Sequence, residues 1–188
     1  MTAYGVTTVI DLRTASELLA APNPCADNAG PAYFHLPLVD DSEMLELGEA
    51  SGMSERYLMM LDKHPVAFRP IFEAVSGAQG GVVFHCFAGK DRTGLVAALL
   101  LSLAGVSDDV IATDFAETDI QLAARYVEWI EASAPERRSV MREELRCPPE
   151  RILGALDHLH TKWGGVPAYL EVAGLAPATI DRLSLKLA

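Results

Sequence analysis

Ten residues constrain this chain more than any others: His85-Cys86-Phe87-Ala88-Gly89-Lys90-Asp91-Arg92-Thr93-Gly94. A strand-like run, Gly81-Val82-Val83-Phe84, precedes them, and a long apolar helical run, Leu95 to Ala104, follows. Strand, tight loop and buried helix in that order form a βα unit. The expected fold is therefore α/β: a small, mainly parallel central sheet flanked by many helices. The loop lies at a strand's carboxyl end, where open α/β sheets bind ligands.

The residue types in the loop suit a bound phosphate dianion with a sulfur nucleophile beneath it. A free thiol is mostly protonated at neutral pH, while the thiolate is the reactive form. Cys86 therefore needs an environment that favours negative sulfur. The positive end of the following helix, the inward loop amides of Phe87, Ala88 and Gly89, and the Arg92 guanidinium supply one. The same amides suit phosphate oxygens. Arg92 offers a planar fork matched to two of those oxygens, which lysine does not. Gly89 allows a sharp backbone turn and keeps a side chain out of the cradle. Lys90 adds a second cation at the rim. Asp91 is the first candidate for a proton donor. Thr93 can donate its hydroxyl to the sulfur, and His85 can orient loop carbonyls or tune the thiol. A lone Cys-x5-Arg arises often by chance, and an isolated buried cysteine is usually inert packing. A ten-residue match in strand–loop–helix context is far more specific.

Other candidates are each balanced by a plainer reading. Asp40 and Asp41 follow a strand-like run and offer an alternative acid on a mobile loop, or simply a strand-ending turn. Asp62 reads as a surface residue late in a helix. Asp11, Arg13 and Glu17 form either an ion-pair network beneath the loop or an ordinary strand end. Arg138, Arg142 and Arg146, flanked by Arg137, share one helix face. That face either meets acidic head groups or phosphopeptides, or is solvated and paired with Glu136, Glu143 and Glu144. His158 and His160 point in different directions on a helix, which argues against a metal site. Cys25 or Cys147 can protect Cys86 as a disulfide only if near it in space.

Strands are expected over Val6–Leu12, Tyr33–Val39 and Gly81–His85, with a proline-rich loop at Pro22–Pro31 and an irregular acidic stretch at Asp40–Gly52. Helices are expected over 54–63, 65–77, 93–104, 108–117, 119–132, 135–145, 149–162, 166–173 and 177–187. The net charge of −11 argues against nucleic-acid binding. The longest apolar run is too short to span a bilayer, and no signal peptide is legible. Three cysteines, an odd number, fit a reducing cytosol, so the default location is cytoplasmic. Nothing in the sequence gives the oligomeric state.

The loop resembles the signature His-Cys-x-x-Gly-Lys-Asp-Arg-Thr-Gly of the bacterial cysteine-dependent tyrosine and lipid phosphatases. Thr8-Val9-Ile10-Asp11-Leu12-Arg13 with Glu17, His35-Leu36-Pro37-Leu38, Leu103 to Val106, and Tyr169-Leu170 with Gly174-Leu175 resemble further segments of that family. The resemblance implies one phosphatase domain over 1–188, with a helical lid at about 119–147. It implies hydrolysis through a phosphocysteine on Cys86, with Asp91 as the proposed acid and neither metal nor organic cofactor. It implies phosphotyrosine substrates, with phosphoserine and phosphothreonine or phosphoinositides as further classes, and leaves secretion without a signal peptide open. Family members carry a further stretch before the Asp-Leu-Arg strand, so a chain starting at Met1 reads as lacking the usual N-terminal strands. The competing classes are a catalytically impaired phosphate-binding module, and a sulfurtransferase or arsenate reductase, which Lys-Asp-Arg-Thr-Gly disfavours.

Overall fold

The computed structural model describes residues 2–26 and 30–187. The elements run β1 (Val6–Asp11), α1 (Ala15–Ala20), β2 (Ala32–His35), α2 (Asp41–Leu47), α3 (Met53–Lys63), α4 (Pro65–Gly77), β3 (Gly81–His85) and α5 (Asp91–Leu103). They continue through α6 (Asp108–Gln121), α7 (Ala123–Ala132), α8 (Arg138–Leu145), α9 (Pro149–Trp163), α10 (Val166–Val172) and α11 (Pro177–Leu187), with 3-10 turns at Thr2–Tyr4 and Pro135–Arg137.

Among the described residues the sheet has three strands in the order β2-β1-β3, all parallel. Val9 pairs with Tyr33 on one side and Val83 on the other; Ile10 pairs with Phe34 and Phe84. The register brings Asp11, His35 and His85 level at the carboxyl edge. Ile10, Val82 and Phe84 join the helical core, while Val83 on the opposite face is partly exposed.

Helix α5 is the central pillar. Leu95, Val96, Ala98, Leu99, Leu100 and Leu103 are buried along it, facing α6, α9, α10 and α11. Gly94 permits the tightest approach: a Cβ there would meet the Phe115 ring of α6 at 3.0 Å. The pillar's first turn carries Asp91, Arg92 and Thr93, so packing far from the loop fixes the loop's exit direction.

Three expectations change. The acidic stretch after Val39 is not irregular, because Asp40 and Glu43 form a reciprocal capping box that starts α2. The second strand ends at His35 rather than Val39: Leu36 N–H still donates to Asp11 O at 2.9 Å, but Pro37 has no N–H to continue the ladder. The single helix expected over 119–132 is broken at Leu122, between α6 and α7. The proline-rich loop is described up to Ala26 and again from Gly30; residues 27–29 lie outside the described residues.

Candidate active site

Cys86 follows directly on β3 and is buried, 5% exposed. Gly89 takes φ 70°, the left-handed turn that only glycine adopts freely. The first helical bond of α5 runs from Gly94 N–H to Lys90 O. Among the described residues, the backbone N–H groups from Phe87 to Thr93 have no protein acceptor. Seven consecutive unengaged amides beside a cysteine and at a helix start make an anion-binding concavity.

Arg92 is 6% exposed, and its guanidinium is fixed from behind. Nη1 and Nη2 donate to the two oxygens of Glu17 at 2.6 and 2.7 Å, and Nη1 makes a longer bond to Leu12 O at 3.4 Å. A guanidinium has five donors, and among the described residues the Nε and second Nη2 hydrogens have no acceptor, a fork for two phosphate oxygens. Burial alone would pull the Arg92 cation toward neutrality; the Glu17 bonds and the nearby Cys86 sulfur outweigh it and raise its pKa above the usual arginine value. Glu17 is itself held by the capping box of α1, accepting from Thr14 N at 2.8 Å. The capping spacing Thr14-x-x-Glu17 was the sequence signal for this carboxylate; its pairing with Arg92, across 75 residues, carried none.

His85 reaches the loop through Nδ1 at 3.0 Å from Cys86 O, while Nε2 lies 2.9 Å from Asn23 Nδ2. The carbonyl accepts, so Nδ1 donates and Nε2 accepts from the Asn23 amide. That amide also donates to Asp11 Oδ2 at 2.9 Å. Asp11 has no solvent exposure and accepts from Arg13, Asn23 and Tyr33. Burial would push its carboxyl up, but the donors from Arg13 and Asn23 hold it well below the usual carboxylate range. Asp11 and Arg13 pair behind the loop, while Glu17, expected in the same network, pairs with Arg92. Asn23, hidden in a proline-rich segment, is a member that sequence reasoning missed.

Asp91 lines a cavity of about 370 Å³ with Cys86, Phe87, Ala88, Arg92 and Glu17. Met44, Met53, Met60 and Leu47 form its apolar wall. Asp91 Oδ1 accepts from the Tyr57 hydroxyl at 2.7 Å and lies 3.4 Å from Lys90 Nζ. Tyr57, on α3, is the second contact that sequence reasoning missed.

Lys90 is not at the rim. It is 3% exposed, and Nζ donates to Glu144 O at 2.7 Å and Leu145 O at 3.2 Å, at the end of α8. A lysine there answers the unpaired carbonyls and negative dipole of a helix C-terminus. Thr93 Oγ1 is buried without a hydrogen-bond partner among the described residues, so no bond joins it to the Cys86 sulfur. Asp40 and Asp41 are spent elsewhere: Asp40 caps α2, and Asp41 accepts from Ser16 N and Oγ. Neither lines the cavity.

Helices α7 and α8 lie against the loop. The Trp129 ring stacks on the exposed Phe87 ring with centroids 6.1 Å apart and an interplanar angle of 30°. Glu144 pairs with Arg56 at 3.0 Å. On the arginine face of α8, Arg138 donates to Ser133 O and Glu131 O, and Arg146 lies 3.8 Å from Glu143. Cys25 and Cys147 are free thiols, as is Cys86. Burial pushes the Cys147 thiol up to about 11.

A family model described as the tyrosine phosphatase family matches residues 1–188. The chain is 30% identical over 204 residues to a tyrosine-protein phosphatase of Nostoc commune, covering 100% of this chain and 68% of that one. It is 29% identical over 224 residues to the triple specificity protein phosphatase PtpB of Mycobacterium tuberculosis, covering 95% and 81%.

Proposed function

This chain belongs to the tyrosine phosphatase family, cysteine-dependent hydrolases of phosphorylated substrates, and we propose from that premise a role for each residue of its site. Cys86 Sγ attacks phosphorus. The S–P bond forms as the ester P–O bond breaks, and Asp91 passes its proton to the departing oxygen. Water then attacks the phosphocysteine, its proton returns to Asp91, and the S–P bond breaks to release inorganic phosphate and thiolate. Arg92 holds two phosphate oxygens through its free edge, and the amides of Phe87 to Thr93 hold the others. His85 orients the Cys86 carbonyl.

The observation that carries this reading is the row of unengaged amides between Cys86 and α5, closed by a guanidinium held by Glu17. The preferred substrate is a phosphotyrosine in a protein, with phosphoserine and phosphothreonine secondary. The methionine and leucine wall suits a phenyl ring; an inositol ring would leave its hydroxyls facing apolar side chains. The whole chain works as one domain, with the 119–147 segment covering the loop through Trp129 and the end of α8.

The test is phosphate release from phosphotyrosine peptides, from phosphoserine peptides and from mono- and bis-phosphorylated inositol lipids, by the wild type and by Cys86→Ser. Peptide turnover lost in the serine variant is expected. Turnover that survives it would remove the phosphocysteine, and a lipid preference would remove the substrate assignment.

A further inference from the structure

Resting on the reading of Asp91 as the acid, we infer that Tyr57 is a positioning residue that fixes which oxygen of Asp91 carries the transferred proton.

Tyr57 lies on α3, two elements before the loop strand, and is fully buried. Its ring meets Phe115 edge-on at 6.1 Å and 83°, which sets the hydroxyl's direction. That hydroxyl has one partner among the described residues, Asp91 Oδ1 at 2.7 Å. Burial first, then the facing Asp91 charge, push the phenol well above its ordinary value, so it remains a donor at any working pH. A phenol oxygen can also accept, but the reversed bond would leave the buried Tyr57 hydrogen without an acceptor among the described residues and would turn a carboxyl proton toward the Lys90 ammonium, which can only donate. Oδ1 therefore keeps its lone pair toward Tyr57, and Lys90 Nζ, 3.4 Å from the same oxygen, enforces the same polarity. A proton on the carboxyl is confined to Oδ2, which has no hydrogen-bond partner among the described residues. The acid is thereby oriented before substrate arrives. When the ester P–O bond breaks, the Oδ2 proton moves to the leaving oxygen, and Oδ1 is already hydrogen-bonded as the negative charge appears on the carboxylate.

The experiment compares Tyr57→Phe, Asp91→Asn and the double variant on two esters. Phenyl phosphate has a poor leaving group that needs the proton; 4-nitrophenyl phosphate has a good one that does not. Tyr57→Phe should lower kcat about tenfold on phenyl phosphate and at most about threefold on 4-nitrophenyl phosphate, with KM unchanged. The double variant should be no slower than Asp91→Asn, since both act on one step. Equal losses on both esters, or multiplicative losses in the double variant, would overturn the role of Tyr57. Indifference of Asp91→Asn to the leaving group would instead remove Asp91 as acid, a separate outcome. Phenylalanine keeps the ring contact with Phe115, and the melting temperature and vanadate inhibition report whether the pocket is intact. Should that variant misfold, 3-fluorotyrosine at position 57 keeps the packing and alters only the donor. kcat on phenyl phosphate must then move while the 4-nitrophenyl ester does not, and no movement would refute the inference.

Discussion

Glu17→Gln tests how far the site depends on an arginine fixed before substrate arrives. The native carboxylate makes two charge-assisted bonds to Arg92, at 2.6 and 2.7 Å, between side chains 20% and 7% exposed. Glutamine keeps the shape but presents one NH2 to a guanidinium N–H, so at least one bond is lost. A hydrogen bond to a charged group contributes about 1.5–3 kcal/mol. The remaining anchor, Leu12 O at 3.4 Å, is too long to hold the group alone. Freeing an arginine that the transition state must refreeze costs up to about 2 kcal/mol. These contributions overlap, and a loss of about 2–3 kcal/mol corresponds to about 30- to 150-fold in kcat/KM. The capping box also weakens, because Glu17 Oε2 accepts from Thr14 N, which lowers stability by about 1 kcal/mol. The assay is kcat/KM on phenyl phosphate at saturating and limiting substrate, beside thermal melting. A variant that melts lower yet turns over at the native rate would show that the guanidinium is placed without Glu17, and the argument would fail.

Lys90→Met should free the carbonyls of Glu144 and Leu145, costing about 1–3 kcal/mol, with faster hydrogen exchange across Arg138–Leu145 and none across α5. Asp62→Asn should lower the melting temperature at neutral pH. Burial opposes ionisation of Asp62, but hydrogen bonds from His158, Lys162 and Trp163 prevail and lower its pKa. A lowered folded-state value stabilises the protein above the unfolded value near about 3.9 and is lost on further acidification. The melting gap between wild type and variant should therefore close below about pH 4, and a gap that stays open there would contradict it. Asp40→Ala should destabilise α2 by removing its cap while kcat on phenyl phosphate stays native; a leaving-group-dependent loss would return Asp40 to the list of acids.

What the sequence made legible was local. Gly81–His85 and the start of α5 followed from strand propensity, Gly89 and the apolar run, because neighbours in sequence decide them. The α2 start was also local, written in Asp40-x-x-Glu43, yet masked by an acidic composition that resembles a loop. The contacts that tune the loop were not legible. Glu17 with Arg92, Tyr57 with Asp91, Asn23 with His85, and Lys90 with Leu145 span 75, 34, 62 and 55 residues. A tyrosine at a helical apolar position carries no mark of where its hydroxyl ends. Lys90 misled for a further reason: beside Arg92 it reads as a phosphate ligand, and only the tertiary fold shows the helix C-terminus it also fits.

The charge pattern joins these contacts into one argument. The chain carries −11, and the cations around its cavity are already spoken for: Arg92 by Glu17, Arg56 by Glu144, and Lys90 by the carbonyls of α8. With Cys86 as thiolate and Asp91 ionised, a phosphate dianion would enter a pocket with no surplus positive charge. Bulk charge beyond about 8–10 Å is screened and does not alter that balance. Admission therefore leans on neutral donors, the amides of Phe87 to Thr93. Under the acid role proposed for Asp91, Tyr57 and Lys90 on Oδ1 leave Oδ2 as the oxygen that faces the leaving group. Lys90 meets the end of α8 and Asp91 Oδ1 at once, so a single ammonium ties the covering helix to that carboxyl.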